Sequence, residues 1–191
     1  MASLAHPSPT ILLIPEALPL DPDDWMVHWG AGMKNASLVA DAHARLSALN
    51  SETSGPMLIV ARGRACQRTA AAIAHLDDPY GQRPAGALFV APGTSEELTP
   101  RLNIPSVVVA SQGEVRSLLF ASAIGARLVQ GGDIGRADAT ASLGDWDYGR
   151  YVLNWLIAST TEAQAGRCGA WPNTVAPPDG SNGRSAGMPP G

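Results

Sequence analysis

The sequence predicts an α/β fold: a three-layer α/β/α sandwich built on a mostly parallel sheet of about five or six strands. Three observations predict it. Short apolar, β-branched runs recur along the chain, and longer stretches of helical periodicity separate them. The runs are apolar at every position rather than at alternate ones, as strands covered by helices on both faces must be. Repeated strand–helix alternation of this kind gives an open sheet with right-handed crossovers.

Taken in order, Thr10-Ile-Leu-Leu-Ile14 is a buried strand ended by Pro15. Asp23 and Asp24 then open a helix on which Trp25, His28 and Trp29 share a face. Met57-Leu-Ile-Val-Ala61 is the second strand, followed by an Ala-rich helix over Cys66 to Leu76. Ala87-Leu-Phe-Val-Ala91 and Ser106-Val-Val-Val-Ala110 are two more strands. A helix over Glu114 to Ile124 follows, with Gly125 as its stop, and Arg127-Leu-Val-Gln130 is a shorter fifth strand. Tyr148, Tyr151, Val152, Trp155 and Leu156 fall at i, i+3, i+4, i+7 and i+8, the pattern of an amphipathic helix lying on a sheet. Met33 to Ser54 yields no clear element.

At 191 residues, of which 45% are hydrophobic and 16% charged, the chain has enough apolar surface for one core without staples. The composition assigns residues 1–158 to that domain and 159–191 to a Pro/Gly/Ser-rich tail expected to be disordered, because it cannot bury enough surface to offset its ordering entropy. A net charge of −4 argues against a nucleic-acid surface. No run approaches the roughly 20 apolar residues that span a bilayer, and Met1 to Thr10 lacks the basic start of a secretion signal. Cys66 and Cys168 form neither a disulfide framework nor a metal-ligand spacing. The expectation is a cytoplasmic protein with no cofactor and no metal, binding neither nucleic acid nor membrane.

The strand ending at Ala61 runs through Arg62-Gly63-Arg64-Ala65-Cys66 into a helix. A strand, a sharp turn of small residues and a helix form the architecture of a nucleophile elbow, although any βα unit offers a similar turn. Further signals follow. Gly135-Arg-Ala-Asp-Ala-Thr-Ala-Ser-Leu-Gly-Asp-Trp-Asp-Tyr-Gly149 resembles a Gly-His-Ile-Asn…Gly-Leu-Gly-Asp-Trp…Gly stretch, and Asp21-Pro-Asp-Asp-Trp25 with Trp29 resembles Gly-Pro-Asp-His-Trp…Trp. Ala87-Leu-Phe-Val-Ala-Pro92 and Pro105-Ser-Val-Val-Val-Ala-Ser111 resemble two strands of the same family. These are the small single-domain serine hydrolases of the retinoblastoma-binding-protein type, within the α/β-hydrolase superfamily. The similarity covers Ile11 to Leu156.

Carried over position by position, the resemblance implies a lost catalytic centre. The family's elbow, Val-Ala-His-Ser-Leu-Gly-Cys, stands here as Val60-Ala-Arg-Gly-Arg-Ala-Cys66, so the nucleophilic serine falls on Gly63. The base histidine falls on Arg136, which is always protonated and cannot accept a proton. The acid falls on Glu114, in Ser111-Gln-Gly-Glu-Val115, where it has no histidine to orient. The family's Pro-Gly-Leu-Gly loop on the oxyanion side becomes Pro15-Glu-Ala-Leu18. Loss of nucleophile or base costs on the order of 10^6 in rate, about 8 kcal/mol. The resemblance therefore implies a catalytically inactive protein that binds a protein partner or a small anionic ligand.

Two alternatives stay open. A divergent esterase or amidase could use a relocated nucleophile at Ser111, Ser142 or Cys66. None has an evident base: His6 is terminal, His28 sits between tryptophans, His43 lies on a solvated helix face and His75 at a helix end. The chain could also be a decaying copy, which would show a poorly cooperative melt. Asp78-Pro-Tyr80 mimics the family's acid motif before the wrong strand and reads as a turn. Arg62, Gly63, Arg64 and Arg136, with Arg116 near Glu114, make a candidate anion-binding pocket at a helix N-terminus. In the plainer alternative Arg136 pairs with Glu114, and Arg62 and Arg64 point to water.

Overall fold

A computed structural model describes residues 8–40, 46, 56–76, 84–93, 100–131 and 143–164, the last four of these in backbone only. Six strands form one sheet: β1 (Thr10–Ile14), β2 (Ala36–Leu38), β3 (Met57–Arg62), β4 (Gly86–Val90), β5 (Ser106–Ala110) and β6 (Arg127–Gln130). Their spatial order is β2-β1-β3-β4-β5-β6, and every neighbouring pair is parallel. Among the described residues four helices with full bounds cover it: α1 (Trp25–Gly32), α2 (Ala65–Ala74), α3 (Val115–Ile124) and α4 (Asp147–Gln164). The fold is the expected α/β/α sandwich.

Period-two alternation within the strands builds two cores, one on each face. Met57, Ile59 and Ala61 of β3 point to the face carrying α2 and α3, where Cys66, Ala70, Phe120 and Ile124 close over them. Leu58 and Val60 point to the opposite face, under Trp25, Met26 and Trp29 of α1 and Val152, Leu153 and Leu156 of α4. All six residues of β3 are buried, which is why it reads as an unbroken apolar run.

The helix boundaries follow from local chemistry. Asp24 caps α1, its carboxylate accepting from the Met26 N–H at 2.9 Å. Gly125, at φ +73°, ends α3 as predicted. The Ala126 N–H reaches the Ala121 carbonyl at 2.8 Å and the Gly125 N–H that of Ser122 at 3.3 Å, the paired bonds of a Schellman stop. His75 stands at the C-terminal cap of α2, its backbone N–H bonded to the Ala71 carbonyl. β2, within the stretch where the sequence showed no element, is a short edge strand with two exposed positions. α4 continues past Ala158 to Gln164, and residues 165–191 lie outside the described residues. No described helix is long and apolar enough to cross a membrane.

Candidate functional site at the switch point of the sheet

β1 connects outward to β2, whereas β3 lies on its other side and the chain proceeds from there toward β6. The sheet therefore changes direction between β1 and β3. In open α/β sheets the crevice beyond the C-terminal ends of strands at such a point is where ligands bind. Two segments meet there: Pro15-Glu16 after β1, and Arg62-Gly63-Arg64 between β3 and α2.

The turn after β3 has the geometry of an elbow. Gly63 adopts φ +60°, its N–H donates to the Val90 carbonyl at 3.0 Å, and its carbonyl accepts from the Cys66 N–H at 3.1 Å. A side chain at this φ costs roughly 1–2 kcal/mol, a strain that glycine avoids. Gly63 is itself buried, and the Glu16 side chain lies against it. A Cβ built on Gly63 would overlap Glu16 Oε2 and touch Glu16 Cβ at 3.3 Å. The position matched to the nucleophile therefore lacks a side chain and is filled from the adjacent loop.

The two arginines flanking Gly63 behave differently. Arg62 follows the even-numbered residues of β3 toward the α1 face, where its Nη1 donates to Asp24 Oδ2 at 2.6 Å. Both side chains are nearly sequestered, at 10% and 5% exposure, so Arg62 does not point to water as the plainer expectation had it. Strand alternation sends it inward, and the cap residue of α1 is there to neutralise it. Arg64 is 73% exposed, and its Nε donates to Glu16 Oε1 at 2.5 Å. Arg68, one turn further along α2, donates to the Glu16 carbonyl at 3.3 Å. The Arg64 stem crosses Gly93, in the loop after β4, where a Cβ would lie 2.8 Å from Arg64 Cγ. Gln67 secures the same loop through the Gly93 carbonyl.

The remaining sequence candidates fall elsewhere. Glu114 is the half-buried N-cap residue of α3, beyond β5 and so two strands from the elbow, and its side chain makes no capping bond. Arg136, Ser142, His6, His43 and Asp78 lie outside the described residues, and with them the Arg136–Glu114 pairing. Ser111 is half-buried at the C-terminal end of β5. Cys66 is fully buried, its thiol turned to the Ala61 and Val90 carbonyls at 3.3 and 3.6 Å. Burial pushes this thiol far above the ordinary range, which suppresses the thiolate a nucleophile needs.

Glu16 and Asp24 are the site residues that sequence reasoning missed. In the sequence Glu16 stands only where the family has a glycine, and Asp24 stands as a helix start and within the Asp21–Trp25 resemblance. The available signal was charge: two acids on segments after the first strand, facing two arginines that flank a glycine.

The two tryptophan motifs form a support beneath this site. Trp29 and Trp146 stack at 5.7 Å, and Trp25 packs at 4.7 Å against each. The Trp29 indole N–H donates to the Asp145 carbonyl at 2.8 Å, and His28 Nδ1 lies 3.4 Å from Asp145 Oδ1. Gly144 takes φ +54°, while Gly149 leaves room that any Cβ would close against the Trp146 ring. The Leu-Gly-Asp-Trp…Gly pattern thus encodes an aromatic clasp between α1 and the start of α4.

No protein-family model matches the chain, and no curated protein matches it. Among solved structures, a protein from Pectobacterium atrosepticum SCRI1043, provisionally described as a YdeN-like hydrolase, is similar with a TM-score of 0.63. The match covers 79% of this chain and 91% of that chain at 22% identity. A likeness at that identity establishes the fold, which is α/β-hydrolase-like.

Proposed function

We propose that this chain is a catalytically silent relative of the small serine hydrolases of the retinoblastoma-binding-protein type, and that it acts by binding. The crevice between the ends of β1 and β3 is the binding site, and a small anionic ligand suits its arginines and the N-terminus of α2. One observation carries the reading. The elbow keeps its turn at Gly63, but a carboxylate from the neighbouring loop occupies the space of the missing nucleophile.

Such a site cannot run acyl transfer by the triad route. A glycine offers no attacking oxygen, and the position matched to the base is Arg136, which has no lone pair to accept a proton. Hydrolysis of p-nitrophenyl acetate and butyrate by the purified chain tests the reading. The expected rate equals that of buffer, while the protein melts cooperatively. Turnover that persists in Arg136→Ala, and disappears on substitution of Ser111, Ser142 or Cys66, would replace it with a hydrolase using a relocated nucleophile.

A further inference from the structure

The crevice at the switch point holds a charged group of the chain's own. We infer that Glu16 is an internal, displaceable occupant of this crevice, and that a small free anion of the phosphate or carboxylate class binds by exchanging with it. The inference rests on the reading that this crevice is the binding site, and it adds how access is controlled.

Glu16 is held as a ligand would be held. Its Oε1 receives the Arg64 Nε–H, its Oε2 packs on Gly63 in the volume a side chain would need, and its carbonyl receives Arg68. These contacts lie at the N-terminal end of α2, a ten-residue helix whose free N–H groups favour negative charge. One donor beside the turn, Arg62 Nε, is buried without a hydrogen-bond partner among the described residues. Arg62 is only 9% exposed, so this N–H is shut off from solvent and open to an acceptor that enters.

Burial separates the two ion pairs. Arg62–Asp24 is buried, and removing one partner from such a pair leaves an uncompensated buried charge, so it is a fixed part of the fold. Arg64–Glu16 is open to solvent on the arginine side, and pairs of that kind are weakly held. An external anion at millimolar concentration can compete with it. Arg64 also joins the three loops that follow β1, β3 and β4, through Glu16, its own backbone and Gly93. Exchange at Arg64 therefore releases the loop after β1 from the elbow.

The test is calorimetric titration of inorganic phosphate, and separately of succinate, into the full chain and its variants. Glu16→Ala is expected to bind one of the two anions about fivefold more tightly than the unmodified chain does, and Glu16→Ala/Arg64→Ala to lose that gain. The preferred anion identifies the ligand class. Equal affinities with and without Glu16, or a gain that survives loss of Arg64, overturn the inference. Should Glu16→Ala fail to melt cooperatively, Glu16→Gln decides by the same criterion, since it removes the charge and keeps the volume. None of these outcomes depends on ester turnover, so a failure here is distinct from a failure of catalytic silence.

Discussion

Gly63 sits at φ +60° under a carboxylate, and both facts set what a substitution there would do. Gly63→Ala introduces backbone strain and an overlap with Glu16, and should destabilise by about 2–4 kcal/mol in urea unfolding. Glu16→Gly removes the overlap but not the strain, so in that background the cost should fall to about 1–2 kcal/mol. The pair Arg62–Asp24 makes a second residue-scale prediction. Asp24→Ala strands a buried guanidinium and should cost about 3–5 kcal/mol, whereas Arg62→Met with Asp24→Ser keeps the helix cap and should recover most of it. Cys66 gives a third, in pH. Burial raises its folded value above the unfolded one near 9, so the unfolded chain loses its proton first as pH rises. Stability from this group is complete below about pH 9 and declines above it, and Cys66→Ala should flatten that decline in melts taken from pH 8 to 10.5.

At the scale of elements, four strands were readable because β1, β3, β4 and β5 are buried almost throughout and so carry few polar interruptions. Thr10–Ile14, Ser106–Ala110 and Arg127–Gln130 have the bounds the sequence suggests, β3 is one residue longer at its end, and β4 is shifted by one residue at both ends. β2 escaped notice for the opposite reason. Ala36–Leu38 is an edge strand of three residues, exposed at two of them, and carries no periodicity to detect. The Leu-Gly-Asp-Trp pattern was visible as a resemblance, but its physical content was not. Three distant tryptophans must meet before Gly144, Asp145 and Gly149 acquire their roles. Trp146→Ala should therefore cost about 3–5 kcal/mol and remove most of the near-UV circular dichroism, because it empties the centre of the clasp.

Across the whole molecule, the architecture was legible and the site only half so. Periodicity and the elbow-like turn located Gly63 between two arginines, and the fold then placed that turn at the point where strand order reverses. The partners of those arginines were not legible, since Glu16 and Asp24 approach from 38 or more residues away in sequence and only the sheet brings them in. Charge alone could have suggested the pairs, but not that one is buried and the other open to solvent. We propose a hydrolase-like fold whose elbow carries no nucleophile. The most direct test is intact-mass analysis of the native chain after incubation with a fluorophosphonate that reacts with activated serines. The account predicts an unchanged mass at a reagent excess that labels an active serine hydrolase fully. A stoichiometric adduct on the folded protein, mapped to one residue, would contradict it.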